Sequence, residues 1–233
     1  MSSLKVYFDL LSQPSRALVL FLKVNNIPYQ SCPVALRKGE HFTDEYAKIN
    51  PFQRVPAIAD GDFKLTESIA ILRYLSRTRN LDSHWYPKDI RLQAKVDEFL
   101  EWQHLDVRAN CARYFQVKFL QPLMTGKPAN PARVSDLQTR MEKTLDDVEN
   151  IWLQKGKKKY LAGDKISVAD IWGACEVEQP KMAGYDVRVN RPNLSNWLDR
   201  VRNDLNPHYD EVHMYVNRIA ESFGGNPPVK AKM

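Results

Sequence analysis

The pattern of apolar residues changes once along this chain, between residues 80 and 88, and that change restricts the possible folds more than any other feature. Before it, short strand-like and short helix-like runs take turns. Residues 4–10 alternate as a strand. Ser12-Gln-Pro-Ser then supplies helix-start chemistry, a capping serine followed by proline in the first turn, and residues 17–25 continue as a helix. Residues 34–36 read as a brief second strand, and residues 42–49 as a short helix stopped by Asn50-Pro51. Residues 55–59, a turn at Asp60-Gly61 and residues 62–65 read as a hairpin. Thr66-Glu-Ser68 opens a third helix with Ile69, Leu72 and Leu75 at helical spacing. The order β-α-β-α-β-β-α completes a small α/β domain, residues 1–82.

From Asp89 onward only helical periodicity remains. Leu92, Val96, Phe99, Leu100, Gln103 and Val107 form one stripe, and Val134, Leu137, Met141, Leu145, Val148 and Ile151 form another. Ser167-Val-Ala-Asp170 is a variant capping box, with Ile166 and Ile171 as its hydrophobic staple. Pro192 starts a further helix. Residues 88–222 therefore read as a second, all-helical domain, and the Gly/Pro/Lys-rich residues 223–233 as a disordered tail.

Several function classes fall away on composition. The 3 cysteines are widely spaced and form no CxxC pair, which removes zinc ribbons and dithiol redox motifs. The N-terminus has no apolar core of a secretory signal, so the cytoplasm is the expected compartment. The longest apolar run, residues 18–22, is far short of the ~18 residues of a membrane span, so no membrane partner is expected. The net charge of +6 leaves nucleic acid or a small anion open as a partner.

Three features of the first domain could carry chemistry: Ser12 after the first strand, Val55-Pro56 before the third, and Glu67-Ser68 at a helix start. Singly, each has a structural explanation as a cap, a turn and a cap. Together they resemble a thioredoxin-like glutathione-binding domain. The runs Asp9-Leu-Leu-Ser-Gln-Pro-Ser-Arg-Ala17, Lys38-Gly-Glu-His41, Asn50-Pro-Phe-Gln-Arg-Val-Pro-Ala57 and Leu65-Thr-Glu-Ser-Ile-Ala-Ile-Leu72 carry that likeness, and Glu101-Trp-Gln-His104 and Ser167-Val-Ala-Asp170 extend it. The chain is similar to the cytosolic glutathione transferases, most of all to their theta class.

The resemblance implies a thioredoxin-like N-terminal domain followed by an all-α domain, glutathione as co-substrate, no metal and a homodimer. It implies a cis bond at Pro56 that turns the Val55 peptide groups toward the cysteine of glutathione, as an added strand would be paired. Ser68, at a helix N-terminus, suits the γ-glutamyl carboxylate. Glu67 can accept from the ammonium, and His41 and Arg54 match positions that hold the glycine end. Ser12 is the implied activator: its hydroxyl and the positive end of the first helix favour the thiolate over a thiol of pKa ~8.5. Tyr7 is the rival, because other classes use a tyrosine near the end of the first strand, but the continuation Leu-Leu-Ser-Gln-Pro-Ser-Arg matches the serine version. No cysteine lies in this segment, which argues against thiol-exchange relatives.

The thiolate would attack small hydrophobic or halogenated electrophiles in a site between the domains, formed by Leu11, His104, Arg108, Ala112 and Phe115. Asp106 could reach a partner subunit's glutathione. The short, Gly/Pro-rich end of the chain suggests a more open site than in relatives closed by a C-terminal helix. An interaction module without activity is the alternative. Nucleic acid is not expected: residues 1–80 hold 11 Lys/Arg against 7 Asp/Glu, so most of the positive excess lies on the domain that would hold an anionic tripeptide.

Overall fold

In the computed structural model, which describes residues 4–223, β1 (Leu4–Phe8) stands at the middle of a mixed four-stranded sheet. It runs parallel to β2 (Gln30–Pro33) and antiparallel to β3 (Ala57–Asp60), which pairs antiparallel with β4 (Phe63–Thr66). Helix α1 (Gln13–Val24) connects β1 to β2, and the single turn α2 (Asp44–Ala47) and helix α3 (Ser68–Thr78) complete the α/β half. Every residue of α1 from Ser15 to Leu22 is buried, because the helix lies between the sheet side and the helical half. A helix apolar nearly all round its axis needs such cover on both sides.

The helical half starts with α4 (Ile90–Gln103), capped by Asp89, whose Oδ1 accepts from the amides of Arg91 and Leu92 at 3.0 and 2.9 Å. The same rod continues through a π-helical turn at His104–Arg108, α5 (Ala109–Phe115), a second π-helical turn at Gln116–Leu120 and α6 (Gln121–Thr125). Helix α7 (Pro131–Asp147) is capped by Asn130. Helices α8 (Val168–Val177), α9 (Pro192–Leu205) and α10 (His208–Glu221) complete this half. Helix α8 packs on α1, and one apolar core runs through both halves. Arg73 of α3 crosses to Asp97 and Glu101 of α4, each at 2.7 Å. Among the described residues no helix is long and apolar enough to cross a membrane.

Five expectations need correction. The second strand is Gln30–Pro33, not residues 34–36; Val34 donates to the Phe8 carbonyl at 2.9 Å and the chain then leaves the sheet. An edge strand that is largely exposed needs no apolar alternation, so the pattern passed over it. The hairpin turn is Gly61-Asp62, with Asp60 opposite Phe63 and Gly61 at φ 68, a conformation suited to glycine. The short helix is a single turn, Asp44–Ala47, with Thr43 Oγ1 accepting from the Tyr46 amide. Ile151 is 63% exposed although it continues the α7 stripe, because the π-helical turn Val148–Trp152 adds a residue to the turn and shifts the apolar stripe out of phase. Leu92, in the first turn of α4, is also exposed. Residues 224–233 of the expected tail lie outside the described residues; Phe223 sits against the Phe119 ring, centroids 5.7 Å apart.

Candidate active site

The register of the sheet decides which candidate residues meet. Tyr7, near the end of β1, pairs with Ala57 at the start of β3, and Ala57 pairs with Thr66 at the end of β4. Ser12 after β1, Val55-Pro56 before β3 and Glu67-Ser68 after β4 are therefore gathered at one end of the sheet.

Ser12 is half-buried at the N-cap of α1, in extended conformation, and its side chain does not cap the helix. Among the described residues its hydroxyl has no partner, while its carbonyl accepts from the Arg16 amide at 3.0 Å. The loop before it is fixed by Asp9, which accepts from the Leu11 amide at 2.8 Å and the Leu36 amide at 2.9 Å. Leu11 is half-buried beside Ser12. The Val55-Pro56 bond is cis, and the Val55 amide and carbonyl make no hydrogen bond among the described residues. The Arg54 carbonyl is held by Tyr46 Oη at 2.7 Å and Asn50 Nδ2 at 2.6 Å, with the Arg54 side chain exposed.

Glu67, the exposed N-cap of α3, has φ 64 and ψ 110. A non-glycine residue so placed stores backbone strain, on the order of 1–3 kcal/mol. Ser68 behind it is buried and accepts from Trp172 Nε1 of α8 at 3.2 Å. The His41 ring is tilted against that of Phe42, centroids 3.8 Å apart, and its buried Nδ1 has no partner among the described residues. The Tyr7 ring stands edge-on to Tyr46 at 6.2 Å, and burial, seconded by the neighbouring Cys32, raises its phenol above the ordinary value. Among the described residues no group of His, Cys, Asp or Glu is arranged to hold a metal ion.

In the helical half, His104 and Arg108 lie in the π-helical turn that follows α4. Burial, followed by the Arg108 cation, lowers the His104 pKa, and the carboxylates of Glu101 and then Glu67 act in the opposite sense. Arg108 Nη1 meets His104 Nδ1 at 3.1 Å, and Nε donates to Glu176 Oε1 at 2.7 Å.

Family models match in both halves of the chain. Residues 3–77 match the family model "Glutathione S-transferase, N-terminal domain", and residues 115–204 match "Glutathione S-transferase, C-terminal domain". Glutathione S-transferase theta-1 of Bos taurus is 40% identical over 231 residues, 99% of this chain and 95% of the relative. A human T1-1 structure, the W234R mutant in its apo form, superposes with a TM-score of 0.90 at 38% identity, covering 99% of this chain and 94% of that one. Human glutathione transferase theta-2, in complex with glutathione and an unknown ligand, gives 0.89 at 36% identity, over 97% and 93%. The chain belongs to the theta class of glutathione transferases.

In this transferase the remaining candidates spread along the rod. Ala112 and Phe115 are half-buried, and Phe115 stacks on Phe119 at 5.7 Å, roughly 16 Å along the axis from His104 at 1.5 Å per residue. Asp106 lies near Lys143 of its own chain. Three residues outside the candidate set bond to it or to its loop: Asp9 to the Leu11 amide, Glu176 to Arg108, and Trp172, a residue expected in the core or between the domains, to Ser68. Glu176 could have been suspected, as an acid inside the otherwise apolar α8 run after Asp170.

Proposed function

We propose that this theta-class glutathione transferase binds glutathione along the free Val55 peptide groups, with the γ-glutamyl end at Glu67 and Ser68 and the glycine end toward His41 and Arg54. The Ser12 hydroxyl and the N-terminus of α1 lower the thiol pKa; the thiol proton leaves to solvent. The thiolate then forms a carbon–sulfur bond with a small hydrophobic or halogenated electrophile, and the leaving group departs with its electron pair. Leu11, His104, Arg108, Ala112 and Phe115 form the electrophile side. Arg108 is already paired with Glu176, which favours neutral electrophiles. A homodimer completes the reading, supported by large apolar side chains left on the surface, Phe52 at 68% and Leu105 at 83% exposed.

The observation that supports this most is that, among the described residues, the Ser12 hydroxyl at the α1 N-terminus and the Val55 peptide groups have no partners and belong to the same end of the sheet. Conjugation rates of Ser12→Ala and Tyr7→Phe test it. A hydrogen bond to a charged group contributes about 1.5–3 kcal/mol, so Ser12→Ala loses roughly 10- to 100-fold in kcat/KM while Tyr7→Phe stays near wild type. The reverse pattern sinks the assignment.

A further inference from the structure

We propose that Arg16 and Gln179 are positioning residues for thiol activation: they tie the loop that carries Ser12 to the helical domain, so that the second domain sets where the first domain's hydroxyl points. The proposal rests on Ser12 being the thiol activator.

Arg16 sits one turn after Ser12 and is fully buried. Its side chain folds back under the loop. Nη1 donates to the Leu10 carbonyl at 3.0 Å and the Leu11 carbonyl at 3.3 Å. Nη2 donates to the Cys175 carbonyl of α8 at 3.0 Å and to Gln179 Oε1 at 2.6 Å. Gln179, buried just past the end of α8, also donates from Nε2 to the Leu11 carbonyl at 3.4 Å. The loop is thus held from two sides, its amides by Asp9 and its carbonyls by Arg16 and Gln179. Among the described residues the Ser12 side chain has no partner, so this backbone sets where its Cβ lies and which positions its hydroxyl can reach.

The chemistry of the pair is costly for mere filling. The guanidinium hydrogen-bonds to three carbonyls and an amide oxygen and to no carboxylate, and its Nε has no partner. A buried charge without a hydrogen-bonded counter-ion destabilises a fold relative to an apolar side chain of similar volume. Glu176, Glu178, Cys175 and Tyr209 face it from α8, its end and α10, and only partly offset that burial. What arginine supplies and leucine cannot is a rigid fork that reaches two loop carbonyls and the other domain at once. A hydrogen bond to a thiolate weakens steeply with misalignment, so a displacement of ~0.5 Å matters.

The test uses the full chain and monitors thiolate absorbance of bound glutathione against pH, with glutathione Kd and Tm measured alongside. Gln179→Leu and Arg16→Lys each raise the titration midpoint by about half a unit or more, a loss of about threefold in thiolate, with glutathione Kd within ~2-fold of wild type. Gln179→Glu keeps an acceptor for Arg16 but turns the donor to the Leu11 carbonyl into an oxygen, so its midpoint lies between those of wild type and Gln179→Leu. If Gln179→Leu does not fold, Arg16→Lys carries the comparison, and the converse. A lowered Tm with an unmoved midpoint overturns the proposal and leaves the contact structural. Ser12→Ala separates the two readings. If it does not move the midpoint, the Ser12 reading fails and this proposal with it. If it does and the Gln179 and Arg16 variants do not, this proposal alone fails.

Discussion

The indole N–H of Trp172 donates to Ser68 Oγ at 3.2 Å, so a residue of α8 in the helical domain reaches into the first turn of α3. Trp172 is fully buried, edge-on to Phe21 at 6.2 Å, and Ser68 is the residue proposed to receive the γ-glutamyl carboxylate. Trp172→Phe keeps a ring against Phe21 but removes both the donor and, at a fully buried site, part of the ring volume, so a cavity adds to the lost hydrogen bond. A lost neutral hydrogen bond costs about 0.5–1.5 kcal/mol, a fall of roughly 2–4 °C in Tm per kcal/mol for a chain this long. The free Ser68 hydroxyl also loses its orientation, so glutathione binding weakens severalfold by calorimetric titration. A lower Tm with unchanged affinity would assign Trp172 to packing alone.

Asp170 answers to four donors with two oxygens. Oδ1 accepts from the Leu161 amide and Trp197 Nε1, both at 2.9 Å; Oδ2 accepts from the Ser167 amide at 2.9 Å and Ser167 Oγ at 3.1 Å. The group is fully buried, so no water replaces a missing acceptor. Asp170→Asn turns one oxygen into a donor facing two donors, and each stranded group costs about 1–3 kcal/mol. Urea unfolding registers the loss as a lower midpoint, while the folded fraction keeps its specific activity. A midpoint within error of wild type contradicts this account.

What was legible in the sequence is what local chemistry determines. The Ser167-Asp170 pair marks a helix start because a cap needs only neighbouring residues, and it behaves as capping chemistry dictates, whereas Ser12, also read as a capping serine, does not cap α1 with its side chain. Gathering Ser12, Val55 and Ser68 needed the family resemblance, because only the sheet register brings them together. The strand Gln30–Pro33 was illegible because an exposed edge strand carries no apolar signal, and the outward turn of Ile151 because a π-helical turn breaks the period without a marker residue. Arg16 stood inside a recognised run, yet its use depends on Cys175 and Gln179, 159 and 163 residues away.

Arg108 and Glu176 form an ion pair at 2.7 Å with the glutamate side chain 1% exposed. Among the described residues Arg108 Nη2 and Glu176 Oε2 have no partners. Breaking such a pair from one side strands a charge, at about 3–5 kcal/mol, whereas an apolar pair of similar volume is near neutral. Glu176→Ala is therefore strongly destabilised in thermal unfolding, and the double variant Arg108→Met with Glu176→Leu recovers most of the loss. Additive losses in the double variant would show that the two residues act independently.

His213 gives stability a pH dependence above the range where carboxylates titrate. Its Nδ1 bonds the Tyr209 carbonyl at 2.8 Å, its ring stacks on Tyr209 at 4.1 Å, and its buried Nε2 has no partner. Burial, reinforced by the Arg16 cation, lowers its pKa to about 3. In the unfolded chain an imidazole titrates near ~6.5. Above that pH both states carry neutral His213 and it adds no dependence. As pH falls below it, the unfolded chain takes up a proton that the folded chain refuses, and stability drops by up to about 1.4 kcal/mol per pH unit until the folded value is reached. His213→Phe keeps a stacked ring and removes the proton. Urea midpoints at neutral pH and near pH 5 should therefore show wild type losing about 2 kcal/mol more than the variant, from one proton over that interval. Parallel losses in the two proteins would mean that His213 accepts a proton within the fold.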